Sequence, residues 1–345
     1  KKEIKSILEI SGELRFGYRY AFVVNGGVYS SRMYLKQRNW TCQNLLQRYV
    51  EPLHAFATVR GMRSQMPLVR HAWKNLLHNH PHDSICGCSV DPVHREMMTR
   101  FTTVEEVGTS LVNECLNHLI PYDDLSSKDD RYLFLFNPSP WRRKEIALAE
   151  LRFFRQDVVV GLNPDVKRDQ KLPPVSGFRL VDGQGREIPF QILRRSEGYD
   201  VTYSRYNYPK QTFGDTFSLL VDAGEAPSVG YKGLKVERTE RFPKYEPGLK
   251  TGKHFIENTY LRVEVNAKGE LGVTDKAHGQ IYRRLNVFED SGDVGDEYNY
   301  SYPARDKWIF SNTGKAKLAL VEKGPLRASV QSTMMMMVPS SATAD

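Results

Sequence analysis

The sequence predicts a multidomain protein in which a three-helix bundle is followed by β-sandwich domains. Between residues 30 and 120 apolar residues recur at three- and four-residue steps, whereas in the second half they alternate with polar residues. The polar stretch 123–131 separates the two patterns and has the composition of a linker. With 345 residues, of which 40% are hydrophobic, the chain is long enough for more than one core.

The first predicted helix follows Ser30 and Ser31, which can cap its first turn. Pro52 is expected to kink or restart this helix, and Gly61 is expected to end it. Its apolar stripe is predicted to consist of Cys42, Leu45, Tyr49, Leu53 and Phe56.

Two further helices complete the predicted bundle. The second covers 67–77, and the third begins with Asp91 as cap and Pro92 in its first turn and is stopped by Pro121. Because amphipathic helices with short connections must bury their stripes against one another, the three form a bundle over 29–122. The inward residues are predicted to be Val69, Trp73 and Leu76 or Leu77, then Val93, Met97, Phe101, Val104, Leu111, Cys115 and Leu119.

The alternation of apolar and polar residues in the second half of the chain predicts two β-sandwich domains, at 132–240 and 252–345. The second of these domains is expected to be truncated. Residues 132–136 form a short predicted strand, and the turn residues 182–185 and 266–269 each separate two strand-like runs. The four methionines at 334–337 are interpreted as a buried strand. No internal repeat is evident.

Residues 78–89, His-Asn-His-Pro-His-Asp-Ser-Ile-Cys-Gly-Cys-Ser, combine metal-ligand side chains in a loop between two predicted helices. A neutral imidazole is a good zinc ligand, and its second nitrogen needs a hydrogen-bond acceptor such as a carboxylate. If the segment is extended, as Pro81 favours at the residue before it, His82 and Asp83 point to opposite sides and serve different partners. The alternative is a closed structural zinc site that uses Cys86 and Cys88.

A second candidate site is the acidic loop that contains Asp290, Asp293, Asp296 and Glu297, followed by Tyr298. Its spacing lacks the alternation of an EF-hand, although oxygen ligands suit calcium. A solvated charged loop is a second interpretation. The third is a sugar site, in which carboxylates accept hydrogen bonds from hydroxyls and the aromatic ring packs on the apolar face of the sugar.

These segments together resemble glycoside hydrolase family 38, the α-mannosidases, in its bacterial form. Residues 81–89 with 91–94 resemble the family's His-Asp motif. Residues 12–15 with 28–37 resemble the segment in which the chain leaves the catalytic barrel, and residues 288–301 resemble a loop of the β-rich half. The resemblance implies that 1–28 is the tail of that barrel and that the chain is an internal fragment. It implies a zinc-dependent retaining hydrolase acting on α-mannosides, or on a conjugate such as mannosylglycerate.

The same resemblance implies roles for individual residues. His82 would be one zinc ligand, Asp83 would contact the sugar, and Asp296 and Tyr298 are the sugar-binding candidates of the acidic loop. The remaining zinc ligands, the nucleophile and the acid would lie upstream in the barrel, so the fragment alone is expected to be inactive. The alternative to an enzyme is a noncatalytic carbohydrate-binding or scaffold module.

The composition limits which binding partners and which cellular compartment are expected. The net charge is +8, but the basic residues are scattered among 41 acids and no nucleic-acid motif accompanies them, so nucleic acid is not an expected partner. Without a signal peptide or a long apolar segment, no membrane partner is expected either. Four cysteines suit a reducing cytoplasm. A homo-oligomer is left open.

Overall fold

A computed structural model describes residues 25–120, 131–158, 172–202, 210–298, 300–301 and 303–341. The predicted barrel tail, up to residue 24, and most of the predicted linker lie outside these residues. The chain divides into two compact units. The helical unit comprises the described parts of 25–120, 289–310 and 337–341, and the β unit comprises those of 131–288 and 311–336. Residues 289–310, assigned from sequence to the domain 252–345, thus group with the helices.

The helical unit begins with a 3-10 turn, Gly26–Tyr29, and contains five α-helices. Helix α1 covers Met33–Asn44 and continues through a π-helical segment, Leu45–Val50, into α2, Glu51–Val59. The remaining helices are α3 (Met66–Leu77), the single-turn α4 (His82–Cys86) and the long α5 (Asp91–Leu119). Across the described ranges, no helix combines the length and apolarity needed to cross a bilayer.

The π-helical segment ends at Val50, two residues before Pro52, which has no N–H to donate and whose ring clashes with a regular helix. The wider turn adds a residue and rotates the residues that follow. The predicted stripe is therefore wrong at this point: Leu46 and Val50 are buried, whereas Tyr49 is 45% exposed. The helix ends before Gly61, as predicted.

Helices α3 and α5 follow the predicted pattern. Most of the predicted stripe of α5 is buried, and α3 buries Val69 and Leu76. The predicted caps are wrong: neither Ser30 nor Ser31 caps α1, and Asp91 is the first residue of α5 and pairs with Arg32. The core of the unit consists of Leu35, Cys42, Leu46, Val50, Val69, Ala72, Leu76, Met97, Phe101, Val104 and Leu111.

The first part of the β unit is a sandwich of two antiparallel sheets. One has the strand order β1 (Arg131–Asn137), β7 (Gly230–Arg238), β3 (Phe178–Val181), β4 (Glu187–Ile188). The other has the order β2 (Arg143–Val158), β6 (Lys210–Ala226), β5 (Phe190–Thr202). Phe178 fills the space between them, with its ring centroid 5.2 Å from those of Phe153 and Phe217. The predicted sandwich and the turn at 182–185 are confirmed.

The second part is a five-stranded antiparallel meander: β8 (Lys250–Gly252), β9 (Phe255–Glu257), β10 (Leu261–Val265), β11 (Leu271–Asp275) and β12 (Gln280–Leu285). The turn predicted at 266–269 joins β10 to β11. A hairpin of β15 (Lys317–Lys323) and β16 (Ala328–Thr333) follows in this unit. The buried methionine strand is wrong, because β16 ends at Thr333 and Met335 and Met337 are about four-fifths exposed, at 78% and 82%.

Candidate functional site

The candidate site lies in the helical unit, on the turn that joins α3 to α5. Pro81 precedes α4 with an extended backbone, and His82 is the first residue of that helical turn. Gly87 ends the turn with φ +88°, a left-handed conformation that glycine adopts without strain. The chain then enters α5 at Asp91.

The extended conformation expected for this segment is wrong, because the backbone is helical from His82 onward. The two side chains consequently touch: Nε2 of His82 lies 3.3 Å from Oδ1 of Asp83. The His82 side chain is 90% exposed and that of Asp83 is 63% exposed. Both groups are therefore accessible to a ligand, and their separate roles remain a prediction.

His80 and the neighbouring Asn79 of the motif serve the fold. Nε2 of His80 lies 2.7 Å from Oδ1 of Asn39, and burial lowers the pKa of His80. Asn79 is fully buried, and its side-chain amide donates to the carbonyl of Met97 at 3.1 Å. This pairing holds the end of α3 against α5.

No group of three or more His, Cys, Asp and Glu side chains in the described residues could hold a metal ion. The closed site built from Cys86, Cys88 and the histidines is therefore not assembled there. His82 fits a zinc site as a single ligand, because its imidazole is exposed and its ring nitrogen lies beside a carboxylate. Any further ligands would have to come from outside the described residues.

Two cations of the first helical segment hold the backbone of the turn. Nε of Arg32 donates to the carbonyl of Gly87 at 3.0 Å, and a second nitrogen of Arg32 pairs with Asp91 at 2.8 Å. Lys36 donates to the carbonyl of Cys86 at 2.8 Å and also to that of Ser31. Because the carbonyls of Cys86 and Gly87 end a helical turn, they lack the N–H partners of a continuing helix, and charged donors suit them.

The acidic loop is the second part of the site, and it packs on the start of the helical unit. It runs between β13 (Glu289–Asp290) and β14 (Ile309–Phe310), which pair antiparallel. The backbone N–H of Gly27 donates to the carbonyl of Tyr298 at 3.0 Å. A side chain at Gly27 would lie 2.7 Å from the carbonyl oxygen of Glu297, so the approach requires glycine.

The carboxylates of this loop stabilise its own backbone. Oδ1 of Asp293 accepts from the N–H groups of Gly295 and Ser301, at 2.9 and 3.0 Å. Oδ1 of Asp296 accepts from the N–H of Tyr298 at 2.9 Å. Asp296 and Tyr298 are both predicted to bind the sugar, and the carboxylate of Asp296 thus fixes the backbone of Tyr298.

Cys88 lies beside Asp83 in the same turn, and its thiol is 3.6 Å from Oδ1 of Asp83. The proximity of Cys88, followed by partial burial and the nearby carboxylates of Glu297 and Asp83, raises the pKa of Tyr298 to about 12. The phenol is therefore neutral at physiological pH and can donate a hydrogen bond.

Some residues of the site carry no obvious sequence signal. The sequence predicts only packing for Cys88 and no role for Gly27, Arg32 or Lys36. His94, on the first turn of α5, is 2% exposed, and its ring nitrogens find no hydrogen-bond partner among the described residues. Burial, followed by the charge of Arg32, lowers its pKa, so His94 is neutral.

Comparisons with known proteins show which proteins the chain resembles. Residues 25–119 match the model of the α-mannosidase middle domain. The chain also resembles the crystal structure of an α-mannosidase from Enterococcus faecalis V583, with a TM-score of 0.80 and 28% identity over 90% of the chain. These similarities confirm the resemblance to glycoside hydrolase family 38 that the motifs predicted.

Three further proteins are similar to parts of the chain of different length. A second Enterococcus faecalis structure, described as a protein in glycosyl hydrolase family 38, has a TM-score of 0.77 and 29% identity over 89% of the chain. The "Putative mannosylglycerate hydrolase" of Halalkalibacterium halodurans is 27% identical over 99% of the chain, and human alpha-mannosidase 2C1 is 26% identical over 51%. The chain spans 39% of the length of the Halalkalibacterium protein and 35% of the first structure.

Proposed function

We propose that the protein carrying this family 38 chain hydrolyses α-mannosides with the help of a zinc ion, and that this chain supplies one wall of the active site. His82 would be one zinc ligand, and Asp83, Asp296 and Tyr298 would bind the sugar. The observation that carries the proposal is the exposed pair of His82 and Asp83, whose side chains lie 3.3 Å apart in a unit that matches the α-mannosidase middle domain.

The chemistry of these groups suits a sugar. An exposed carboxylate accepts hydrogen bonds from vicinal hydroxyls, and a neutral phenol donates one and offers a ring to the apolar face of the sugar. A bound zinc ion would supply Lewis acidity toward the sugar hydroxyls. The hydrolysis is proposed to be retaining, with the nucleophile and the acid contributed by the barrel region of the same protein.

A mannosyl conjugate such as mannosylglycerate is the second candidate substrate. The similarity that favours it covers 99% of the chain, more than the 51% covered by alpha-mannosidase 2C1. A cytoplasmic location is proposed as well, since all four cysteines are free thiols. Comparison of 4-nitrophenyl α-mannoside with mannosylglycerate as substrates of the longer protein distinguishes the two candidates.

The central test is His82→Ala in the longer protein, with zinc content measured by mass spectrometry and turnover of 4-nitrophenyl α-mannoside. Loss of a metal ligand should lower zinc affinity by at least about 100-fold and abolish turnover. His71→Ala is the matched control, because His71 is also an exposed histidine on a helix of this unit. Normal zinc content and turnover in His82→Ala would refute the assignment.

The chain of 345 residues by itself is expected to release no mannose. A catalytic zinc usually takes three protein ligands, and His82 supplies one. Activity of the isolated chain would contradict this expectation. A noncatalytic sugar-binding module, the rival hypothesis, is favoured instead if the longer protein binds mannose but hydrolyses no mannoside.

A further inference from the structure

Two aromatic side chains lie at the surface where the acidic loop returns to its strands. Trp308 directly precedes β14, and Phe310 is the last residue of that strand. Their ring centroids are 6.5 Å apart, and the ring planes differ by only 24°. Trp308 is 54% exposed and Phe310 is 37% exposed. The two near-parallel rings, which we call the aromatic platform, are therefore accessible to a ligand.

The backbone that leads into Trp308 is fixed by Asp306. Oδ1 of Asp306 accepts from the N–H groups of Gly292 and Lys307, both at 2.8 Å. Gly292 also packs closely on Pro303, because a side chain at position 292 would lie 2.6 Å from Cγ of Pro303. The two ends of the loop are thus tied together beside the aromatic platform, so the platform is formed before any ligand binds.

Polar groups that can bind hydroxyls lie next to the aromatic platform. Glu289 is the cross-strand partner of Phe310 and therefore lies on the same face of the hairpin. Its carboxylate is exposed and has no hydrogen-bond or ion-pair partner in the part of the chain that the structure describes. The hydroxyls of Ser291 and Tyr300 lie 3.1 Å apart on the same loop. The hairpin thus combines aromatic rings with a carboxylate and two hydroxyls.

The charge of this segment limits the class of ligand. Six of the residues 289–310 are acidic and two are basic, which gives a net charge of −4. A surface of this sign repels the phosphates of nucleic acids and the headgroups of anionic lipids. A sugar ring is neutral, its C–H face packs on an aromatic ring, and its hydroxyls donate to carboxylates. A sugar therefore suits both the aromatic and the acidic groups of the hairpin.

We infer that the aromatic platform binds a second sugar ring of the substrate, next to the ring that is hydrolysed. The inference rests on the proposed function, in which Asp296 and Tyr298 of the same loop bind the hydrolysed sugar. Trp308 stacks on the second ring, and Glu289 accepts hydrogen bonds from its hydroxyls. The favoured substrates are therefore oligosaccharides that end in an α-linked mannose, in preference to mannosides with a small aglycone.

Trp141 provides a matched comparison. It is 63% exposed, similar to Trp308, but it lies in the β unit, between β1 and β2. Any general effect of removing an exposed indole should therefore appear in both alanine variants. An effect of sugar binding at the aromatic platform should appear only when Trp308 is replaced.

The first test compares α-mannobiose with methyl α-mannoside as substrates of the longer protein, because only the disaccharide has a second sugar ring. Trp308→Ala should lower the ratio of their kcat/KM values, α-mannobiose over methyl α-mannoside, by about tenfold, as expected for a lost stacking contact. Trp308→Phe, which keeps a ring, should retain most of this ratio, and Trp141→Ala should leave it unchanged. An unchanged ratio in Trp308→Ala, or an equal fall in Trp141→Ala, would overturn the inference.

The second test needs no turnover and uses this chain with 5-fluorotryptophan at its four tryptophans. The resonance of Trp308, assigned from its loss in Trp308→Phe, should shift when α-mannobiose is added at millimolar concentrations, whereas that of Trp141 should stay in place. If the longer protein hydrolyses no mannoside, the proposed function fails, and this titration alone decides whether the aromatic platform binds a sugar. If mannosides are hydrolysed but neither the ratio nor the Trp308 resonance responds, the inference alone fails.

Discussion

Gly27 donates its backbone N–H to the carbonyl oxygen of Tyr298 at 3.0 Å. This hydrogen bond joins the first turn of the helical unit to the acidic loop. The loop connects the paired strands β13 and β14. The Asp296 carboxylate, which accepts from the N–H of Tyr298 at 2.9 Å, fixes the same residue from within the loop. The backbone position of Tyr298 depends on both contacts.

Gly27→Ala is predicted to release the acidic loop, because the new Cβ would lie 2.7 Å from the carbonyl oxygen of Glu297. Backbone hydrogen exchange in peptides that cover 289–301 should accelerate by about tenfold, as expected when a loop loses a stabilising hydrogen bond. Gly183→Ala is the control, since nothing lies within 4 Å of the position that its new methyl group would take. Equal exchange in both variants would show that the loop is not held at Gly27.

The four thiols are predicted to fall into two reactive classes. Cys42 and Cys115 are fully buried, and burial, followed by a nearby glutamate, raises the pKa of Cys42 to about 12 and that of Cys115 to about 11. Cys86 and Cys88 are only partly buried. In a mildly alkaline buffer, Ellman's reagent should modify Cys86 and Cys88 in the native chain and all four thiols after denaturation.

Cys42 and Cys115 should stay protected when the pH of the buffer is raised, because burial shields them and raises their pKa. Cys88→Ala should remove one of the reactive thiols. Rapid native modification of Cys42, identified by mass spectrometry, would contradict the packing of the helical core.

Periodicity was enough to predict the bundle and the sandwich, since burial of one face is the main local signal of each element. It failed where the backbone departs from the regular repeat. At the π-helical segment before Pro52, Leu46 and Val50 enter the core, whereas Leu45 is only partly buried and Tyr49 is exposed. A proline inside a long helical pattern of apolar residues indicates that the set of core-facing residues can change near it.

The site was predicted only in part because its contacts are nonlocal. The motif identified His82 and Asp83, and the loop identified Asp296 and Tyr298, but neither pattern says that the carbonyl of Tyr298 accepts from Gly27 at the start of the helical unit. The backbone contact of Gly27 depends on the absence of a side chain, which a single glycine in a sequence does not reveal.

Glu257 is predicted to make the β unit sensitive to acid. Hydrogen bonds from Lys276 and Arg262 lower the pKa of this carboxyl from 4.5 to about 2. A carboxyl with a lowered folded pKa contributes stability above its unfolded pKa, and that contribution is lost as the pH falls toward the folded value. Glu257→Gln should therefore flatten the decline in unfolding free energy between pH 4.5 and about 2.

Urea unfolding at several pH values checks this prediction, with Glu240→Gln as the control at an exposed carboxylate of the same unit. The control should retain the wild-type slope. A wild-type slope in Glu257→Gln would contradict the prediction. It would mean that the ion pairs with Lys276 and Arg262 do not lower the pKa of Glu257 in the folded chain relative to the unfolded chain.

Gln191 is predicted to be the main polar anchor of the β15–β16 hairpin on the sandwich. Its buried side chain accepts from the N–H groups of Leu326 and Arg327, at 3.1 and 2.8 Å, and donates to Glu322 at 2.8 Å. Gln191→Leu removes the acceptor, so two backbone donors lose their partner, at a cost of about 2–3 kcal/mol in unfolding free energy. Gln184→Leu, at an exposed turn position, should cost far less.

Limited trypsin digestion gives a local readout of the same contact. Loss of Gln191 should expose the turn between β15 and β16 and accelerate cleavage after Arg327, because hydrogen-bonded turns resist proteolysis only while their anchors hold. Cleavage after Arg142, an exposed residue remote in sequence from the hairpin, should keep its wild-type rate in the same digest. Equal acceleration at both sites would indicate global destabilisation and not release of the hairpin.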